Sequence, residues 1–343
     1  MKYILYTALF VSMFFAAACN QDPIFTMISN EVEPKDPLIN GSPSKFATIG
    51  NDIYVANGKL WKYSEKSWSQ AGGPSNVYDI AVVKTTLYLL SVGDSGCTVY
   101  KRDSTGGITA ISNNSGYGMI QGIYGNDSDL YAGGSNGSDG YALLWLKPDG
   151  ALDTKYTIGS PLTGVAGDYY ATARNGIFKI TGNAPVSFTS DYTIAGIIKI
   201  DTKIIAVSSG GTIFNITDTS AALHEPDYNF TGALAEYTPK DSGGRKLLLI
   251  GVKGSVYSLG YLETWIPDDG TGAFSLRSPG GTTADSTIPI SVQDKYSATL
   301  EKCAVNSLIK VDDEDTGGWP VIFASTQKDG LWSYRNGEWN AEE

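Results

Sequence analysis

Histidine is almost absent from this chain, since His224 is the one histidine in 343 residues. A zinc site with several histidine ligands is therefore excluded, and a Ser-His-Asp triad would have to use His224. The three cysteines, Cys19, Cys97 and Cys303, do not have the close spacing of a cysteine-based zinc site. We interpret His224 as a surface residue on an outer strand or turn.

Charged residues and helical periodicity are also scarce. Asp, Glu, Lys and Arg make up 18% of the chain, and the formal net charge is −11. An acidic chain is unsuited to nucleic acid, whose phosphates demand Lys and Arg, and to electrostatic attachment to anionic lipid heads. No window outside the N-terminus shows a helical amphipathic pattern, and the 40 glycines fit many tight turns. We therefore predict an all-β fold with no nucleic-acid partner.

A short phrase recurs about seven times, and in each copy an aliphatic residue precedes an aromatic one within a strand-like segment. The aromatic positions are Trp61, Tyr100, Trp145, Phe178, Phe214, Tyr257 and Trp332. Consecutive positions are 33 to 45 residues apart, except for a final gap of 75, and a four-stranded propeller blade needs ~40–45 residues. The repeat predicts a seven-bladed β-propeller of four-stranded antiparallel blades, with the aromatics in its core. Six or eight blades, an open β-solenoid and a two-sheet sandwich are the alternatives.

The N-terminal region predicts an exported chain with three parts. Residues 1–18 are Met-Lys followed by an apolar stretch that ends in alanines, which is typical of a secretory signal peptide. Residues 19–44 contain several prolines and little periodicity, and they predict an extended tether. Residues 45–343 hold the repeats and predict the propeller.

Residues 16–19 (AAAC) resemble the relaxed lipobox of spirochaete lipoproteins, although Ala16 stands where that family usually has Leu. Residues 28–37 (ISNEVEPKDP) are similar to the tethers of treponemal lipoproteins. The resemblance implies cleavage before Cys19 and attachment of a diacylglyceryl group to its sulfur. A lipidated chain would be held at the cell envelope, on the outer membrane or the outer leaflet of the inner membrane. An ordinary cleaved signal with an incidental Cys19 is the alternative.

The other two cysteines belong to separate repeats. Cys97 falls in the second repeat and Cys303 opens the seventh, so the first repeat separates them in a closed ring. We expect two buried free thiols and no disulfide.

Signatures of catalysis or of a cofactor are missing. The sialidase Asp box is absent, and no carboxylate pair can be chosen among 36 acidic residues. We predict no enzyme activity and no cofactor. Asp312, Asp313 and Asp315 precede a glycine pair and are candidate Ca²⁺ ligands. The full ligand pattern of a calcium loop is not present, so we favour a solvated hairpin turn for this cluster.

The repeat is interrupted between its sixth and seventh copies. Residues 260–295 follow the sixth phrase as an insertion, and residues 238–246 and 312–318 are long turns between first and second strands. Such segments are expected to cluster on one face of a propeller, and long loops are often functional. We predict a partner-binding sector whose contact residues are Tyr261, Trp265, Asp268 and Asp269. A fourth strand containing Tyr261 and Trp265, or a tolerated surface elaboration, is the alternative.

These features favour a membrane-anchored binding or scaffold protein that acts on a protein partner. Residues 58–69 (GKLWKYSEKSWS) are similar to tectonin-type lectin repeats, which implies a carbohydrate-binding propeller as the alternative. Those repeats carry one site per blade, whereas only the apolar frame recurs here. A glycan hydrolase is the least favoured alternative.

Overall fold

The computed structural model describes residues 37–94, 96–137, 140–186, 189–217, 220–224, 228–238, 243–253, 260–266, 274–276, 304–311, 321–335 and 338–342. The secondary structure elements in these residues are β-strands, without an α-helix. Within the same residues no helix is long and apolar enough to span a bilayer.

The strands form consecutive up-and-down units, which we call meanders and number along the chain. Meander 1 contains β1 (Ala47–Ile49), β2 (Asp52–Asn57), β3 (Lys59–Ser64) and β4 (Ser67–Ala71). Meander 2 contains β5 (Val77–Val83), β6 (Thr86–Gly93), β7 (Gly96–Arg102) and β8 (Ile108–Asn113). Meander 3 contains β9 (Met119–Gly125), β10 (Leu130–Ser135), β11 (Tyr141–Leu146) and β12 (Ala151–Ile158).

The remaining meanders follow the same plan. Meander 4 contains β13 (Leu162–Ala166), β14 (Tyr169–Thr172) and β15 (Gly176–Lys179). Meander 5 contains β16 (Ile194–Ile200), β17 (Lys203–Ser208), β18 (Thr212–Asn215) and β19 (Ser220–His224). Meander 6 contains β20 (Asn229–Tyr237), β21 (Leu247–Lys253), β22 (Gly260–Trp265) and β23 (Ser275–Leu276). Meander 7 contains β24 (Val305–Val311), β25 (Val321–Thr326), β26 (Leu331–Arg335) and β27 (Glu338–Ala341).

The meanders pack side by side around an axis, and from meander 2 to meander 7 the first strand of each contacts the first strand of the next. Both faces of a sheet are thereby covered by neighbours, which explains why whole strands such as β10 are buried rather than alternating. In the interface between meanders 1 and 2, for example, Tyr54 and Leu60 pack with Ile80 and Leu89. This is the architecture of a β-propeller, so the predicted all-β propeller is confirmed at this level.

The ring closes where meander 7 meets meander 1. Ile39, which precedes β1, packs with Val55 of meander 1 and with Phe323 of meander 7 in one buried cluster. The N–H of Leu331 donates to the carbonyl of Ile39 (3.0 Å), and Gly330 N–H donates to the carbonyl of Gly41 (2.8 Å). The chain before β1 therefore fastens the last sheet to the first.

Meanders 2 and 3 share a single eight-stranded sheet, so the strands form six sheets. Their outermost strands, β8 and β12, pair in parallel through Ser112 with Ala151 and Asn113 with Leu152. This pairing could not be predicted from the repeat, because it joins strands that are last in two successive repeats.

Meander 4 has three strands, so the prediction of four strands in every blade is wrong here. The N–H of Val186 donates to the carbonyl of Ile177 (2.8 Å), and Pro185 forms an isolated bridge with Phe178. Proline has no N–H to contribute to a ladder, so this segment covers the edge of β15 without forming a regular strand.

Meander 6 also differs from the prediction. Its third strand is β22, whose residues Tyr261 and Trp265 pair with Gly251 and Leu247 of β21. Tyr261 and Trp265 thus lie neither in an insertion nor in a fourth strand, and β23 occupies the fourth position. The phrase around Tyr257 lies outside the described residues.

The repeated aromatics belong to the core, as predicted. Among those that the structure describes, Phe214 and Trp332 are buried members of the clusters between sheets. The other four are half-buried and pack against these clusters, and they are Trp61, Tyr100, Trp145 and Phe178. His224 ends β19, the outermost strand of its sheet, in agreement with the expected outer position.

Candidate functional site: the central channel

A cavity of about 990 Å³ lies on the ring axis. The first strand of every meander contributes to its wall, namely β1, β5, β9, β13, β16, β20 and β24. Because no other place in the fold gathers residues from all the repeats, this channel is the candidate functional site.

Most of the lining strands have a β-bulge near their start. The pairing register shifts between Val77 and Asp79 in β5, between Leu162 and Gly164 in β13, and between Val305 and Ser307 in β24, with related shifts in β9, β16 and β20. The residues within or just after these irregularities, together with the residue before Phe46, form what we call the bulge level. It consists of Lys45, Asp79, Gly122, Gly164, Gly196, Gly232 and Ser307.

On one side of the bulge level, glycine allows the strands to approach closely. A Cβ on Gly232 would lie 2.5 Å from the carbonyl oxygen of Ala195, and one on Gly196 would lie 2.9 Å from the Cα of Gly232. A Cβ on Gly164 would lie 2.7 Å from Cγ2 of Ile197. These distances are below van der Waals contact, so larger residues would push the strands apart.

On the other side, an ion pair joins the sheets. Lys45 Nζ donates to Asp79 Oδ2 at 2.6 Å, and Asp79 is 7% exposed. The same carboxylate accepts hydrogen bonds from the N–H of Ile80 (2.9 Å) and of Ile123 (3.0 Å). Asp79 thereby connects meanders 1, 2 and 3. Gly122 leaves room for it, since a Cβ there would lie 3.3 Å from Asp79 Oδ2.

Tyr124 lies beside this ion pair. Lys45 Nζ is 4.3 Å from the centre of its ring, and the phenol donates to the carbonyl of Leu162 at 3.2 Å. Burial, and secondarily the nearby charge of Asp79, raises the pKa of Tyr124 well above its usual value. The phenol is therefore a neutral hydrogen-bond donor across the physiological range.

Thr163 belongs to the channel wall, but its Oγ1 is buried rather than open to the channel. No hydrogen-bond partner for this hydroxyl lies within the part of the chain that the structure describes. Buried hydroxyls are nearly always paired, so Thr163 is an exception among the described residues of the wall.

The channel reaches the face of the ring that carries the first-to-second turns, which we call the mouth face. Lys199 Nζ pairs there with Asp127, reaching across the short turn of meander 4. Lys246 Nζ donates to Asp201 (2.8 Å) and Glu236 (3.3 Å). These side chains are partly or largely exposed, so exchanging their present ion pairs for ion pairs with a binding partner would cost little free energy.

A lysine of meander 7 completes the mouth. Lys310 Nζ lies 3.8 Å from the ring centre of Tyr237, a cation–π geometry. The carboxylates that line the cavity, Asp79, Asp127 and Glu236, each contact a lysine. Their chemistry is that of ion pairing and hydrogen bonding.

The mouth face is asymmetric. In meanders 1 to 5 the first and second strands are connected by two to four residues, whereas in meanders 6 and 7 the connections are residues 238–246 and 312–320. Both connections follow strands that line the channel, and residues 239–242 and 312–320, which include most of the two predicted long turns (238–246 and 312–318), lie outside the described residues.

Several predicted site residues cannot be placed by these observations. Cys19, Asp268, Asp269, Asp312, Asp313, Asp315 and Cys303 lie outside the described residues. Tyr261 and Trp265 lie in β22, away from the channel-lining strands. Cys97 is a free thiol, as predicted, but it is half-buried rather than buried, and its Sγ lies 3.7 Å from the carbonyl of Ile120.

The sequence reading missed Lys45, Asp79 and Tyr124. One signal was present, because Asp79 interrupts an otherwise apolar strand, residues 77–83 (VYDIAVV). A carboxylate at such a position requires a partner.

No protein-family model matches this chain, and neither does any curated protein. Solved structures do. Virginiamycin B lyase from Staphylococcus aureus, in a catalytically inactive form with quinupristin, aligns with a TM-score of 0.54 at 12% identity, over 86% of this chain and 95% of that one. YCF48 bound to a D1 peptide aligns with a TM-score of 0.54 at 12% identity, over 88% and 95% of the two chains. At such low identity the likeness extends to the fold alone, and it shows that this chain is a β-propeller.

Proposed function

We propose that this chain is a membrane-anchored extracytoplasmic binding or scaffold protein, without enzyme activity, that holds a protein partner on its mouth face. In this proposal each meander is one blade of a seven-bladed propeller, and a lipid on Cys19 anchors it at the cell envelope. The observation that carries the proposal is the asymmetry of the mouth face, where two adjacent meanders have far longer connections than the other five.

The chemistry of the mouth supports a protein partner. The Lys199–Asp127 and Lys246–Glu236 ion pairs present charges of both signs, which suit a partner with complementary charges, and Tyr237 is of a residue type enriched at interfaces. The YCF48 structure, which shares the fold, holds a peptide.

The test is capture of a partner by chemical cross-linking in native membranes, followed by mass spectrometry. Charge reversal at the mouth, Glu236→Lys with Lys310→Glu, should reduce capture of the cross-linked partner at least tenfold. Arg174→Glu, on an exposed turn of the opposite face, is the matched control and should leave capture unchanged. Equal capture by both variants, with intact folding, would remove the mouth face from the proposal.

The carbohydrate-binding alternative is less favoured. Its sugar-stacking residues would be the recurring aromatics, and those that the structure describes are packed between sheets. A glycan hydrolase would need a carboxylate pair free to act on substrate, whereas Asp79 is held by Lys45 and two backbone N–H groups.

A further inference from the structure

Large exposed hydrophobic side chains are unevenly distributed over the ring. Within the described residues those more than one-third exposed are Leu38 (46%), Tyr78 (60%), Val92 (40%), Ile108 (38%), Met119 (55%) and Tyr192 (37%). All except Ile108 lie on the face opposite the mouth face.

Strand direction explains this placement. First strands run toward the mouth face, so their starting residues lie on the opposite face, as do the ends of second strands. Tyr78 and Met119 are at the starts of β5 and β9. Val92 is near the end of β6, and its N–H donates to the carbonyl of Asn76 (3.1 Å) just before β5. Ile108, in contrast, starts a fourth strand and lies on the mouth side.

The other two residues lie where the chain enters its first strands. Tyr192 precedes β16, and its ring packs against Phe214 at 4.8 Å. Leu38 donates its N–H to the carbonyl of Glu342 (2.6 Å) at the end of β27. Residues 1–36 are therefore connected to the ring at this face, which we call the tether face.

The five apolar residues are spread around the ring rather than gathered in a groove. They belong to the beginning of meander 2, the end of its second strand, meander 3, the entry to meander 5 and the seam with meander 7. A set of side chains dispersed over one face can be buried together by an extended surface such as a bilayer, whereas one extended peptide would reach only a few of them.

The two faces also differ in charge. The described turns of the mouth face carry Glu65, Lys66, Lys84, Asp103, Asp127, Asp129, Lys147, Asp149, Asp168, Asp201, Arg245 and Lys246. The described connections of the tether face carry Lys45, Asp94, Arg174, Asp191, Lys328, Asp329 and Glu342. Among the described residues the tether face thus has fewer charged side chains to desolvate against a bilayer.

We propose that the tether face rests on the lipid bilayer, with Tyr78, Val92, Met119, Leu38 and Tyr192 in its interfacial layer. This inference rests on the proposed lipid at Cys19. Tyrosine is enriched at the membrane interface because its ring is apolar and its hydroxyl is wet, and apolar side chains add binding in proportion to buried area.

The tether alone does not set this orientation. Residues 20–36, fully extended, would span about 60 Å, which is long enough for either face to meet the membrane. The apolar residues decide between the two, and they direct the mouth face and its partner site away from the bilayer.

The experiment compares an environment-sensitive fluorophore at two positions in phosphatidylcholine vesicles. In a Cys97→Ser, Cys303→Ser background, Met119→Cys is labelled in one sample and Ile108→Cys, the matched control, in the other. Spin-labelled lipid should quench the probe at position 119 at least threefold more than the probe at 108. Equal quenching, or stronger quenching at 108, would overturn the proposal.

A second arm separates this inference from the anchor. Mass spectrometry of the purified full chain reports whether Cys19 carries acyl groups. The same probe pair is also measured with a hexahistidine tag replacing residues 1–19 and bound to nickel-chelating lipid. The closing contacts begin at Leu38, so the tag leaves them intact. Selective quenching at position 119 without acylation would refute the lipid anchor but support contact between the tether face and the bilayer. Acylation without selective quenching would support the anchor and refute that contact.

Discussion

On the two sides of the bulge level, neighbouring first strands are held together by different interactions. At Gly196 and Gly232 the first strands of meanders 5 and 6 meet backbone to backbone, with no space for a Cβ. At Lys45 and Asp79 the first strands of meanders 1 and 2 are joined by side chains that span the gap. The comparison teaches that the ring is not evenly spaced around its axis. Close backbone packing joins meanders 5 and 6, whereas an ion pair and hydrogen bonds join meanders 1 and 2.

The charged side should be sensitive to a single substitution. Asp79→Ala removes the acceptor of Lys45 and of the Ile80 and Ile123 N–H groups. The Lys45 side chain is 32% exposed and can be solvated, so the loss comes mainly from the unpaired N–H groups, and we expect about 2 kcal/mol. Urea denaturation followed by tryptophan fluorescence measures the loss. A loss below about 1 kcal/mol would show that packing, not this pair, joins meanders 1 to 3.

The glycine side should respond to added volume. In Gly232→Ala the new methyl group meets the carbonyl of Ala195, and the strands must separate, which we expect to cost about 2 kcal/mol. Gly210→Ala is the control, because a Cβ at Gly210 meets nothing within 4 Å. If both variants unfold at the same urea concentration, the close approach of meanders 5 and 6 is not limiting.

Tyr124 tests the charged side through pH. Its folded pKa is raised, so the unfolded chain releases the proton first and stability falls as pH rises above about 10. Tyr124→Phe loses the hydrogen bond to Leu162, about 1 kcal/mol at neutral pH. Between pH 10 and 11 its stability should then decline less steeply than that of the parent chain, by up to about 1.4 kcal/mol per pH unit. Parallel declines in the two proteins would contradict this assignment.

The smallest effect is expected at the mouth. Asp127→Ala breaks the pair with Lys199, but the Asp127 side chain is 67% exposed, so the expected loss is about 0.5 kcal/mol. The same denaturation measurement, with and without 0.5 M salt, checks it. If Asp127→Ala lowered the free energy of unfolding as much as Asp79→Ala does, the ion pairs at the mouth would be as important for stability as the one inside the channel.

The sequence was sufficient for the fold because the repeated phrase is local. Each aliphatic–aromatic pair, such as Ile213 with Phe214, lies within one strand and needs only its neighbouring sheets to be buried. The propeller and the core role of its aromatics could therefore be predicted. The three-stranded meander 4 could not, because the edge of β15 is covered by a segment around Pro185 that has no strand pattern.

The side chains that line the channel could not be predicted from the sequence, for a different reason. Lys45 and Asp79 are 34 positions apart, and their meeting depends on how the first strands are offset by bulges. Periodicity carries no information on such offsets. The placement of Tyr261 and Trp265 in an insertion was wrong for a related reason, since the register of β22 on β21 decides which residues form the third strand.

The short segment before β1 has a mechanical consequence. Leu38 donates its N–H to the carbonyl of Glu342, and the carbonyl of Gly41 accepts from the N–H of Gly330. Gly330 has a φ of 78°, and its lack of a Cβ leaves space for the carbonyl of Ile39. Any pull on the N-terminal side of the chain, as from a membrane anchor, is delivered first to these backbone hydrogen bonds. We therefore expect tension on the N-terminal segment to break the hydrogen bonds between residues 38–41 and meander 7 before it unfolds any of the sheets.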